Sequence, residues 1–332
     1  MSAKKKAWGA PVLLLWCAWG LAHAVQLDPI DQLVHQQRLG EAGQAIDARL
    51  ARNAGDPGAL AAMVDLRLAR AEADDLVQAR AVAERCVNLN PDSGRCAEAL
   101  GNALQAQARA GGILAALSTA HAIRDTLERA IRLDPKNYRA RVTLMQHYLA
   151  MPFFLGGSET RARELASEAR RTDPELTRLM RAMCALDDGK FDDAEQTILA
   201  ANLADYELVQ DSQRDLLLTL ASAHLDAGRY VRSGRLFDEL ARRAPRSEHG
   251  PYGLALVARA QGRLADASLQ LEKAALIAPH PYVYKALGDI YAARQDRPRA
   301  IAAYQAALTG MPPLARREHD QVAMQLTQLR RP

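Results

Sequence analysis

The chain has 332 residues, 49% hydrophobic but only 5% aromatic, so its apolar side chains are mostly Ala and Leu, the strongest helix formers. With 25% charged residues it is too apolar for disorder and too polar for a polytopic membrane protein, which leaves an all-α fold as the expectation. The net charge of +4 falls to near neutral once Lys4, Lys5 and Lys6 are set aside, and no basic block remains to hold phosphates, which argues against nucleic acid as a partner.

The first element in chain order is a leader over residues 1–24. Lys4 to Lys6 form a basic end, the 16 residues from Ala7 to Ala22 carry no charge, and Ala22-His23-Ala24 offers small residues to signal peptidase. Cleavage is expected between Ala24 and Val25, giving an exported chain, periplasmic or secreted, with no stable membrane insertion. The apolar run is broken by Gly9, Pro11 and Gly20 and is shorter than the ~20 residues that span a bilayer, which separates it from an uncleaved anchor. Trp8, Trp16 and Trp19, the 3 tryptophans of the chain, all lie in this leader.

A repeat follows. Pro57, Pro91, Pro135, Pro174, Pro245, Pro279 and Pro312 are spaced by 34, 44, 39, 71, 34 and 33 residues, and a 34-residue period marks helix-turn-helix solenoids. Small residues stand five positions before these prolines (Cys86, Ala130, Ala169, Ala274, Ala307) and twelve before (Ala45, Ala79, Ala162, Ser233, Ala267, Ala300). Such positions are where closely packed helices tolerate little more than a methyl group.

Leu100-Gly101 with Leu104, the series Tyr284, Leu287-Gly288, Tyr291, Ala300, Tyr304, Ala307 and Pro312, and the turns Gly189 to Ala194 and Gly262 to Ala267 carry a resemblance to the tetratricopeptide repeat family. The resemblance implies a right-handed α-solenoid of about eight helix pairs. Residues 25–175 form N-terminal repeats with two inserted inter-helix loops, 176–313 the C-terminal repeats, and 314–332 a capping helix with Val322, Leu326 and Leu329 on one face. The repeats ending at Pro135 and Pro174 are too long, and the 71-residue gap holds one degenerate pair around Cys184 to Asn202.

The excess residues are expected in the Ala108 to Ser118 segment and in the Met151 to Ser158 loop. Phe153 and Phe154 there form either a hydrophobic lip beside the groove or a plug between helix pairs. The Phe154 to Ser158 turn resembles turns of exported bacterial repeat proteins, including helical accessory subunits of some solute transporters. Cys86 and Cys96 occupy adjoining places across Pro91, where an oxidising compartment makes a disulfide the expectation and two small core thiols the alternative. Cys184 is expected as a buried thiol.

Chemistry is scarce. No two histidines share the helical spacing of a metal site, and none of the motifs of an enzyme or a bound cofactor is present. Asp192 reads as the N-cap of its helix, with Glu195 completing a capping box. What the resemblance implies instead is binding of a protein or peptide along the concave groove. Its groove positions fall on Glu98, Asn102, Gln105, Arg139, Thr143, Gln146, Tyr252, Leu256, Arg259, Lys285 and Asp289, with Phe153 and Phe154 as the lip. A non-enzymatic scaffold or adaptor in the cell envelope follows, or, in the other class, an accessory subunit of a solute transporter that holds a small ligand or docks on a solute-binding protein.

Overall fold

The computed structural model describes residues 27–331 apart from 71, 72, 171, 172 and 205, and these residues form seventeen α-helices and no strand. The expected leader lies outside the described residues. The helices run as pairs: α1 (Pro29–His35) with α2 (Leu39–Arg52), α3 (Pro57–Arg70) with α4 (Ala73–Leu89), α5 (Gly94–Ala110) with α6 (Gly112–Leu133), and α7 (Tyr138–Ala150) with α8 (Glu159–Ala169). The second half continues with α9 (Pro174–Asp187) and α10 (Phe191–Leu199), α11 (Gln210–Asp226) and α12 (Tyr230–Arg243), α13 (His249–Ala260) and α14 (Leu264–Ile277), and α15 (Pro281–Ala293) and α16 (Arg297–Thr309). The last helix, α17 (Arg316–Arg330), buries Val322 and Leu326 against Tyr304 and Ala307 and closes the stack.

The small residues read from the sequence are the contact points of this stack. Cys86, Ala130, Ala169, Ala274 and Ala307 are buried, as are Ala79, Ala162, Ser233, Ala267 and Ala300. In the first repeat the buried small residue is Ala42, one helical turn before the expected Ala45, because Ala42 and Ile46 share the face that meets α3. The helices α15 and α16 approach closely at Gly288, where an added Cβ would strike the ring of Tyr304 on the partner helix. Gly288→Ala is therefore expected to cost about 1–3 kcal/mol, as overpacking does. A thermal melt checks this, and an unchanged midpoint contradicts it.

Two expectations need correction. The ten additional residues of the third repeat form no loop: they lengthen α5 and α6 to 17 and 22 residues, joined through Gly111 and the left-handed Gly112. Ala-rich sequence on both sides favours helix over loop, so only a glycine pair interrupts it. Asp192 is also not a cap. Left-handed Gly189 ends α9 and the next helix starts two residues early, with Lys190 at its N-cap, so Asp192 lies inside the first turn.

The 71-residue gap holds two helix pairs, α9/α10 and α11/α12, linked by a connection over residues 200–209. The short 3-10 turn Glu207–Val209 in that connection rests on α7 as well as on α11.

Candidate functional site

First helices of successive pairs touch one another directly: α1 with α3, α3 with α5, α7 with α9, α9 with α11, and α11 with α13. In a curved stack the elements on the inside of the curve crowd together, so the first helices line the concave face. What they present there differs between the two halves of the chain.

In the N-terminal half the face is crossed by an ionic cluster. Asp65 on α3 takes both guanidiniums, Arg139 of α7 through two hydrogen bonds of 2.9 and 2.5 Å and Arg95 of α5 at 2.5 Å. Arg95 also donates to Asp31 of α1 at 3.0 Å, while Nε of Arg139 lies 2.8 Å from Oε1 of Glu98. Glu98 accepts further hydrogen bonds from Asn137 at 2.9 Å and Asn102 at 3.3 Å. Burial alone would raise Asp65, yet Arg139 and Arg95 overcome it and hold this carboxyl well below its ordinary range. At Asp31 burial wins over Arg95 and raises the carboxyl.

This placement assigns the predicted groove residues. Arg139, expected to face a partner, is bound to Asp65 of another repeat, and Asn102, expected to do the same, is bound to Glu98 one turn earlier on its own helix. Gln105 is half-buried and accepts from Arg109 at 3.3 Å, and Thr143 is half-buried. Farther along, Tyr252 packs edge to face on Tyr282 with centroids 5.0 Å apart, and burial raises its hydroxyl. Arg259 is exposed, and Lys285 pairs with Asp289 at 3.2 Å.

Gln146 alone among the predicted positions borders a cavity described here. It donates to Ser212 at 3.2 Å across the groove, over a cavity of about 350 Å³. Leu149 of α7, Met183 and Leu186 of α9 and Leu216 of α11 give that cavity an apolar floor, and Thr219 and Asp215 give it a polar margin. A second cavity, of about 410 Å³, opens where the superhelix brings His35 and Gln36 of the first repeat opposite Glu207, Gln213 and the segment Arg243 to Ser247.

Phe153 and Phe154 do not plug a packing gap. They are 87% and 61% exposed, edge to face at 5.6 Å, on a 3-10 turn that leans on α6 with Gly156 against Arg124. The other insertion reaches farther out: Ile113 and Leu114 at the α6 tip are 79% and 82% exposed, about 15–17 Å along the helix axis from Arg124. Neither set borders the two cavities above.

One cluster was not legible as such. His224, fully buried on α11, meets Oε2 of Glu195 at 2.9 Å, and Arg232 joins Glu195 and Asp192 at 2.6 Å each. Asp192, Glu195 and His224 stand close enough to hold a cation, and the Arg232 guanidinium occupies that role between the two acids.

No family profile and no curated protein matches the sequence. Solved structures do: yeast Tom70 superposes with a TM-score of 0.60 at 14% identity, covering 88% of this chain and 59% of that one. The fold is that of the tetratricopeptide repeat proteins. The APC/C hetero-tetramer Cut9-Hcn1 is similar at a TM-score of 0.48 and 14% identity over 91% of this chain and 55% of that one. A tetratricopeptide repeat protein from Parabacteroides merdae is similar at 0.40 and 14% over 90% and 96%. The chain thus spans less than two thirds of the length of the first two. Among the described residues no helix is long and apolar enough to cross a membrane.

Proposed function

We propose that this tetratricopeptide repeat chain is an exported, non-enzymatic scaffold of the cell envelope that holds a protein or peptide in its concave groove. The observation that supports it is the cavity bordered by Gln146. Three successive first helices combine there into an apolar floor with hydroxyl, carboxamide and carboxylate groups at the margin. An apolar centre within a polar rim is the composition of a peptide-recognition surface. The repeats supply such surfaces as a by-product of stacking, because the residues that pack the stack lie between the helices and leave the inner face to vary.

The test is peptide capture by the purified mature chain from a random peptide library. Met183→Asp, which places a charge on the apolar floor, is expected to reduce capture at least about tenfold with an unchanged melting midpoint. Val231→Asp, on the exposed outer face of α12, is the control and is expected to leave capture intact. Equal capture by both variants contradicts the groove. Phe153 and Phe154 serve in this reading as a separate edge contact for partners larger than a peptide.

Export has its own measurement. Protein isolated from the envelope should begin at Val25 by mass and show tyrosine but no tryptophan emission, since Trp8, Trp16 and Trp19 leave with the leader. Tryptophan emission from that material contradicts cleavage.

A further inference from the structure

The 410 Å³ cavity carries an inference of its own, one that rests on the groove reading and gives part of it a chemical identity. Two residues of its wall each carry a polar atom buried without a partner: Oε2 of Glu207, on the turn before α11, and Nε2 of Gln213, in the first turns of α11. Gln213 is only 6% exposed. Leaving a buried polar atom unpaired costs about 1–3 kcal/mol, so a ligand that answers both atoms gains from each.

Of the other polar side chains of this wall, Gln36 and Arg246 are exposed and His35 is half-buried, while those beside Glu207 and Gln213 are engaged. Gln210 donates to the carbonyls of Leu203 and Ala204 at 3.4 and 3.2 Å. Arg243 donates to Ala201 and Leu199 at 2.8 and 2.9 Å, closing the end of α10. Arg214 is held by Asp211 at 2.7 Å. Glu207 and Gln213 are thus the two wall residues whose buried polar atoms have no partner.

One is an acceptor only and the other, at Nε2, a donor only. An ammonium group suits Glu207 but turns its N–H groups on those of Gln213. A carboxylate or phosphate suits Gln213 and is repelled by Glu207. An amide carries an N–H and a C=O on one rigid plane and answers both. We propose that this cavity is a subsite for an amide group of the bound polypeptide, an Asn or Gln side chain or an exposed main-chain unit. Its volume is within the range of small-ligand sites, and the first repeat, through His35, closes it from across the groove.

Side-chain amide signals of the ¹⁵N-labelled mature chain test this, with the Gln213 pair identified by its loss in Gln213→Met. The probe is N-acetyl-glutamine methylamide, and N-acetyl-glutamate methylamide is its charged counterpart. The Gln213 signals are expected to shift saturably with the first, and at least about tenfold more weakly with the second. Glu207→Leu is expected to weaken the first response at least about tenfold with no fall in melting midpoint. Absence of a saturable shift with the glutamine probe overturns the proposal and leaves solvent alone in the cavity. An equal or stronger response to the glutamate probe overturns it too, since the cavity then selects an anion. Loss of peptide capture in Met183→Asp without any Gln213 response keeps the groove and removes this subsite; the reverse pattern keeps the subsite and removes the groove reading.

Discussion

Arg139→Ala is expected to destabilise the chain by about 3–5 kcal/mol, the range for removing one partner of a buried ion pair. Arg139 bridges Asp65 and Glu98, whose side chains are 9% and 3% exposed, so its loss leaves two carboxylates facing each other with Arg95 as their one remaining guanidinium. The effect is on the stack itself, because the cluster ties α1, α3, α5 and α7 together. A denaturant titration reads it directly, and a change below about 1 kcal/mol contradicts the assignment. Acid reads the same cluster with a predictable sign. Asp65 is held below its ordinary range in the folded chain, so its contribution is complete above pH ~4 and is lost as pH falls toward its folded value. Asp31, raised by burial, works the opposite way: the stability linked to its proton is full below pH ~4 and lost as pH rises through its higher folded value. The variant Asp65→Asn should therefore show less acid sensitivity between pH ~4 and pH ~2 than the parent.

The second large effect is the disulfide. Cys86 and Cys96 are bonded in the structure, buried between α4 and α5 at a sequence separation of 10, and closing a loop of that length restricts the unfolded chain by about 2.7 kcal/mol. Cys86→Ala with Cys96→Ala keeps small side chains at both places and is expected to lose about that much. Denatured, unreduced protein that begins at Val25 should carry one free thiol, from the buried Cys184. Three free thiols, or a double variant as stable as the parent, contradict the bridge.

What the sequence made legible is what repeats. Gly288 opposite Tyr304, Ala300 and Ala307 recur because each pair must solve the same packing problem, and a fixed period exposes the solution. The eight pairs and the closing helix follow from that period. Pairings that occur once have no period. Asp65 meets Arg139 across 74 residues and Arg95 across 30, so nothing local distinguishes Arg139 from a groove residue awaiting a partner. Glu195 looked like half of a capping box because its spacing from Asp192 fits one, whereas its partners His224 and Arg232 lie 29 and 37 residues away. The third-repeat insertion lies where excess length put it but is helix where a loop was expected, for a different reason: excess length predicts a departure from the period but does not tell a loop from two longer helices. The cavity with Glu207 and Gln213 depends on the turn of the whole superhelix, which brings His35 opposite them, and a linear pattern holds no trace of that.

Photo-crosslinking from the two faces of the solenoid in the envelope tests the central claim most directly. One chain carries p-benzoylphenylalanine at Thr219, at the margin of the apolar groove cavity, and another carries it at Val231, 85% exposed on the outer side of α12. Discrete adducts from Thr219, lost when Met183→Asp is added, and none from Val231 are the expected result. Adducts from Val231 alone, or Thr219 adducts that survive Met183→Asp, would place the partner elsewhere and contradict a groove-binding scaffold.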